Sequence, residues 1–501
     1  MELVKDKGDM TMRFLKPSQR DWIPGLALIF WWPLAAMAEA IDVGDRLELM
    51  VDDFLCESME NVRYHLHSPV DRGEVMRFDQ PWEGAFSGYG SMVQESERIL
   101  FYYRGLPKAG QDGSVAEVTC VAESRDGVHW NKPPLGLYST GDGSENNIIL
   151  SNKAPFSHNF SPFLDRNPSA KGFRFKALAG IASSGLMAFG SRDGLEWEAL
   201  SESPVFSPEG WVLDSQNVAF WSPHESRYLC YYRSSVDGIR SIARASSVDF
   251  LDWKAEGQMR FSDTDSIRPS QHLYTNQTQP YFRAPHIYVA TPARFFPGRK
   301  VLSDEEARLI DVHPKYYNDT SDAALMTSRG GLLYQRFHLE ALLRPGIGAN
   351  NWVSRSNYPV LGWVQTSPHE MSFYTNQDYG QPTAHLHRYV FRLDGLSSVR
   401  AGAHPGIWVS KPLVRSGNHL FLNASTSASG FLRIELMDED GEPIEGYAGN
   451  HAMEWIGNEV QRPYRWKRGP MIELDEERPF RMKIHLKDAD LFALRFGRRN
   501  A

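Results

Sequence analysis

Four times along the chain a strand-like run ends in nearly the same words: AESRDGVHW closing at Trp130, FGSRDGLEW at Trp197, ASSVDFLDW at Trp253 and MTSRGGLLY at Tyr334. The aligned Ser124, Ser191, Ser247 and Ser328 stand 67, 56 and 81 residues apart. That is the length of one four-stranded propeller blade with a variable loop, not of a helical repeat. Asp-Gly supplies the positive φ of a tight hairpin turn, and the Trp that follows has a ring large enough to pack between neighbouring sheets. The repeat therefore predicts an all-β propeller.

Strand patterns assign the blades. The first takes GYGSMVQES, ILFYYRG and VTCVAES; the second HNFSPFLD, FRFKALAG and GLMAFGS; the third DSQNVAFWS, RYLCYYRSS and SIARASS. The fourth takes TNQTQPYF, HIYVATPARF and AALMTSR, and a fifth, without the Trp turn, takes SNYPVLGWVQTS, EMSFYTN and HRYVFRLDG. DEEARLIDVH reads as a helical insertion between blades four and five. After about Ala401 the alternation in NHLFLNASTS, GFLRIELMDEDG, PFRMKIHLKDAD and LFALRFG predicts a β-sandwich. The expected order is a leader over residues 1–40, a five-bladed β-propeller over 41–400 and a sandwich over 401–501.

The leader rests on Lys16 and Arg20 before the apolar run Ile23 to Met37, followed by small residues at Ala36, Ala38 and Ala40. This is the pattern of a signal peptide cut near Ala38 or Ala40, and it predicts a secreted or periplasmic protein. The other reading is an uncleaved membrane anchor, for which the run is short. The net charge of -8 and the lack of a basic tract argue against nucleic acid as a partner. Three cysteines exclude a disulfide framework; Cys120 and Cys230 lie in apolar strands as buried thiols. No motif calls for a metal or cofactor: there is no dinucleotide fingerprint and no P-loop, and His385 and His387 lack a second cluster to complete a site.

A five-bladed propeller with Ser-x-Asp-Gly-x-x-Trp turns, followed by a sandwich holding LRIELMDEDGEPI, resembles the glycoside hydrolase family 32 type, and the propeller is also similar to family 43. The resemblance implies an exported enzyme that cleaves glycosidic bonds with paired carboxylates in the propeller funnel. The fructan-hydrolase signatures Trp-Met-Asn-Asp-Pro-Asn-Gly, Arg-Asp-Pro and Glu-Cys are missing, so fructose polymers do not follow as substrate. The alternative is a carbohydrate-binding propeller without chemistry.

Hydrolysis needs two carboxyl groups, one to protonate the leaving oxygen and one to act as nucleophile or base. Asp214 leads, in LDSQNVAFWS, where it precedes an apolar strand; it also fits a turn-initiating Asp. Glu83 precedes the first inner strand, where the resemblance implies the nucleophile, and Asp79 competes with it. Asp322 and Glu370 open strands in the late blades, and either suits the proton donor; each of the three also fits a surface carboxylate. Arg104 and Arg233, both closing a Tyr-Tyr-Arg run, and Arg294 in blade four read as one level of guanidiniums. They suit an anionic substituent of the substrate, pairing with a catalytic acid, or stacking on tyrosine. His158, Asn159, Gln216, Asn217, Tyr274, Asn276 and Gln277 offer the donors and acceptors that sugar hydroxyls require. The turn acids Asp126, Asp193 and Asp249 are expected to be structural.

Overall fold

The structure, a computed structural model, describes residues 39–498 except Asp112, Asp142 and Trp211. All of the expected leader but Glu39 and Ala40 lies outside the described residues. From Ala40 onward the chain forms one compact unit, nearly all β.

Five antiparallel sheets follow one another. The first holds Gly88–Glu95, Arg98–Gly105, Val118–Ser124 and Ile148–Leu150. The second holds Ser161–Leu164, Phe175–Ile181, Gly185–Ser191 and Glu198–Ala199. The third holds Val218–Ser222, Arg227–Val236, Ile239–Ser247 and Lys254–Gln258. The fourth place is shared by two three-stranded sheets, Gln279–Tyr281, Ala284–Ala290 with Met326–Ser328, and His272–Leu273, Ala293–Phe296 with Thr320–Ala323, taken together below as the fourth sheet. The fifth combines Tyr358–Pro359, Val364–Gln365, Glu370–Gln377 and His385–Arg392 with the early strand Val70–Arg77.

The first strands of sheets one to four lie side by side in order. Leu361 of the fifth sheet then exchanges backbone bonds with the first, receiving from Met92 N at 2.6 Å and donating to Gly90 O at 3.0 Å. This is a propeller-type arrangement, and it explains a pattern that ordinary half-exposed sheets lack. In Arg98–Gly105 every residue after Arg98 is buried, and Gly185–Ser191 is buried throughout, because each sheet has a neighbour on both faces.

The repeated turn joins those neighbours. Asp126 Oδ1 accepts from Val128 N and His129 N, Asp193 Oδ1 from Leu195 N and Glu196 N, and Asp249 Oδ1 from Leu251 N and Asp252 N, all within 3.0 Å. The three acids are structural, as expected. Tyr374 of the fifth sheet donates to Gly127 O at 2.7 Å, and Tyr102 of the first donates to Gly194 O at 2.9 Å. Each turn is thus pinned to the sheet before it, with Trp130 packed against Phe101 and Tyr374, and Trp197 against Tyr102 and Phe160.

Two expectations change. The helix Asp304–Leu309, capped by Ser303 and Glu306, lies within the fourth sheet's connections and not between sheets four and five. The four strands read after residue 401 are two long ones, His419–Met437 and Arg481–Gly497, paired through register shifts that let each bend without ending. Leu47–Leu49, Cys56–Glu60 and Val62–Leu66 share that C-terminal sheet, pairing with Arg481–Gly497, Gly406–Ser410 and Ser397–Ala401. A strand's pattern reveals its buried face, not its partner, so these pairings across residue 400 are not readable from the alternation. Glu48 anchors this segment to the fourth sheet, with its buried carboxylate 2.8 Å from Arg329 and 3.0 Å from His286. Cys120 and Cys230 are buried free thiols. Among the described residues no helix is long and apolar enough to cross a membrane.

Candidate functional site

All five sheets send residues from the start of their innermost strand into one cluster. Backbone geometry marks the place: Tyr89, Asn159, Leu213, Gln277, Arg355 and Asn357 all have φ between 49° and 63°. Left-handed backbone is uncommon for residues other than glycine, and such positions concentrate where side chains must be aimed for function.

The cluster centres on tyrosines. Tyr358 lies 6.4 Å from Tyr89 and 5.3 Å from Tyr274 between ring centres, and His158 lies 6.4 Å from Tyr89. Arginines cover them. The Arg104 guanidinium is 4.6 Å from the Tyr89 ring, and Arg233 is 4.6 Å and Arg240 5.1 Å from that of Tyr274. Arg355 reaches in from the fifth sheet, donating to Tyr379 Oη at 3.0 Å and Tyr274 Oη at 3.1 Å. Tyr316, from the insertion carrying the short helix, flanks Arg355 at 5.3 Å.

Two carboxylates serve this cluster. Glu117 is wholly buried, 2.8 Å from His158 Nδ1 and 3.8 Å from Arg104. This holds the imidazole in one orientation and leaves its Nε2 for another partner. Asp214 is exposed, and its charge is felt by both Arg233 and Tyr274. Burial pushes Tyr274 up, but Arg355 and Arg233 outweigh it and hold the phenol below the usual tyrosine range. Burial, with Arg240 alongside, lowers the basicity of Arg233.

Of the residues expected from sequence, Arg104, His158, Asn159, Asp214, Arg233 and Tyr274 meet here. Gln216 and Gln277 are buried and bond across sheets: Gln277 Nε2 donates to Gln216 Oε1 at 2.7 Å and to Pro359 O at 2.8 Å, and Gln216 Nε2 donates to Ser91 Oγ at 3.1 Å. Asn217 braces the Leu213–Asn217 turn, and Asn276 donates to Tyr231 O, so both amides are spent on backbone.

The remaining candidates are held elsewhere. Glu83 is buried against Lys132 at 2.7 Å and Tyr103 in the outer half of the first sheet. Asp322 forms a fork with Arg294 at 2.6 and 2.7 Å. Arg294 misses the cluster because its strand neighbour Phe295 faces Tyr274, and adjacent strand residues face opposite ways. Glu370 lies at a half-exposed strand start beside Arg72.

Tyr89, Glu117, Arg240, Arg355 and Tyr358 were not anticipated. Tyr89, Arg355 and Tyr358 share with His158 the start of an inner strand, a signal that a search confined to acids and amides passes over. Glu117 and Arg240 come from the start of the third strand of their sheets, which local sequence does not aim. Among the described residues no group of three or more His, Cys, Asp or Glu is gathered as a metal site.

No family model matches the chain, and no curated protein matches it. Similar solved structures include a glycoside hydrolase at 11% identity and TM-score 0.45, with 65% of this chain and 92% of that one covered. They also include a thermostable family-43 glycoside hydrolase at 14% identity and TM-score 0.40, covering 64% and 95%. A fructofuranosidase from Schwanniomyces occidentalis, at 10% identity and TM-score 0.40, covers 85% of this chain and 96% of its own.

Proposed function

We propose that this protein is an exported enzyme that cleaves glycosidic bonds, with its active site at the tyrosine-arginine cluster of a five-bladed propeller and a C-terminal β-sandwich as scaffold. The five sheets are read as blades, with Val70–Arg77 closing the ring as the outer strand of the last, and residues 41–66 are grouped with the sandwich. The observation that carries the reading is the convergence of residues from all five inner strands on one place. There an oriented imidazole, an exposed carboxylate and several aromatic rings stand together. Aromatic faces suit sugar rings, and partly exposed Tyr89, Asp214 and Arg355 open the cluster to solvent.

In this reading Asp214 acts as base or nucleophile, and His158, positioned by Glu117, donates the proton to the leaving oxygen. Glu83, Asp322 and Glu370 have structural partners and are not assigned to the chemistry. Export rests on the basic and apolar pattern from Lys16 to Ala40.

The test is release of reducing sugar from a panel of neutral, uronate-containing and sulfated polysaccharides by wild type, Asp214→Asn and His158→Ala, with binding to the same polymers measured in parallel. Release by wild type that falls at least a hundredfold in either variant, with binding kept, supports the assignment. Undiminished release by both variants removes these residues from the mechanism, and binding without release by wild type makes the protein a carbohydrate-binding propeller.

A further inference from the structure

Building on the proposed function, we propose that Arg233 and Arg240, both set against the ring of Tyr274, form a subsite for the anionic group of an acidic sugar, a uronate carboxylate or a sulfate ester. Arg233 is 4% exposed, and of its guanidinium nitrogens only Nη2 is engaged, donating to Tyr274 O at 2.8 Å. Its Nε and Nη1 have no hydrogen-bond partner among the described residues. A buried guanidinium with idle donors is costly, and a second guanidinium over the same ring adds repulsion. An anion bound to the idle Nε and Nη1 of Arg233 relieves the first penalty and its charge offsets the second; Asp214, the exposed carboxylate of this cluster, bonds neither nitrogen.

Two neutral groups point to the same ligand. Both amide atoms of Asn159, at 2% exposure, and the hydroxyl of Tyr358 are buried and unpartnered among the described residues. The Tyr358 ring lies 5.3 Å from that of Tyr274, and Asn159 follows His158, whose ring lies 6.4 Å from Tyr89; together they offer a donor, an acceptor and a hydroxyl for the sugar's own oxygens. Unspent polar atoms in a core are few in folded proteins, and these two residues keep theirs where inner strands meet. Carboxylate and sulfate share the chemistry that guanidinium recognises; shape and charge spread distinguish them.

The experiment is calorimetric titration of the whole protein with glucuronate, glucose 6-sulfate and glucose, in wild type, Arg233→Gln and Arg240→Gln, each checked for an unchanged melting transition. We expect one acidic sugar or both to bind about tenfold or more tightly than glucose. The one that does so identifies the group as carboxylate or sulfate. Arg233→Gln should abolish the preference, and Arg240→Gln, at a partly exposed position, should weaken it without disturbing the core. Equal binding of all three sugars, or a preference that survives both substitutions, overturns the inference. Cleavage of neutral polymers by wild type and Arg233→Gln alike also overturns it while leaving bond cleavage intact. A preference for acidic sugars that depends on Arg233, in a protein that releases nothing from any polymer, supports the subsite and overturns the catalytic reading.

Discussion

His158 Nδ1 lies 2.8 Å from the carboxylate of Glu117, which has no exposed surface of its own. Such a carboxylate acts on a ligand through its neighbours, His158 at hydrogen-bond distance and Arg104 at 3.8 Å, so His158 and Glu117 should behave as a reacting group and its support. Removing His158 as Ala should lower kcat about a hundredfold or more with KM little changed. Glu117→Gln keeps the shape and should cost less in kcat, with a changed pH profile of the rate. Steady-state kinetics at several pH values decides it; a Glu117→Gln profile identical to wild type would show the pairing to be purely architectural.

Tyr274 provides a spectroscopic handle. The guanidiniums of Arg355 and Arg233 outweigh its burial and lower the phenol pKa. Ultraviolet difference titration of wild type against Tyr274→Phe should reveal one phenol ionising below the ordinary value of about 10. Arg355→Met should move that ionisation back up. A difference spectrum that appears only at or above the ordinary value would contradict the arrangement.

Glu48 ties the first strands of the C-terminal sheet to the fourth sheet. Burial raises its pKa, but the His286 hydrogen bond and the Arg329 charge prevail and lower it from 4.5 to about 2. A carboxyl with a depressed folded pKa contributes stability that is complete above the unfolded value and lost as pH falls through the folded one. The contribution is about 3 kcal/mol at neutral pH, disappearing between about pH 4.5 and pH 2. Denaturant unfolding across that window should show the slope in wild type and a flatter one in Glu48→Gln.

The turn glycines are not equivalent. A Cβ on Gly194 would meet Tyr102 Oη at 2.6 Å and Leu100 at 2.8 Å, whereas one on Gly238 meets nothing within 4 Å; both have positive φ, at 83° and 76°. Gly238→Ala should cost about 1 kcal/mol from backbone alone. Gly194→Ala adds overpacking at the contact between two sheets and should cost about 3 kcal/mol. Equal losses of stability would mean that the turn is not pinned to its neighbour.

Glu83 and Asp214 should separate cleanly. Glu83→Gln breaks a buried pair with Lys132 and should lower stability by about 3 kcal/mol while the activity per folded molecule holds. Asp214→Asn, at an exposed position, should leave the melting temperature nearly unchanged and remove the activity. Thermal melts beside rate measurements distinguish the two, and loss of activity in fully folded Glu83→Gln would return that residue to the mechanism.

Much of the β architecture was legible locally. The Ser-x-Asp-Gly-x-x-Trp turn is a self-contained device of side chain to backbone hydrogen bonds, so Ser124, Asp126 and Gly127 specify it wherever it occurs. Strand cores follow from apolar runs in the same way, closely in the first and third sheets, whereas in the fourth HIYVATPARF and AALMTSR each divide into two strands. Arg104, His158, Arg233, Tyr274 and Asp214 were visible as polar interruptions of those runs. What tertiary structure alone decided was pairing and aim. Val70–Arg77 completes the fifth sheet, and the strands from residues 41–66 join the C-terminal one, because ladders form between segments hundreds of residues apart whose patterns are interchangeable. The same physics sorted the acids. Folding set Glu83 beside Lys132, Asp322 beside Arg294, Glu370 beside Arg72 and Glu117 beside His158, pairings that no local pattern specifies.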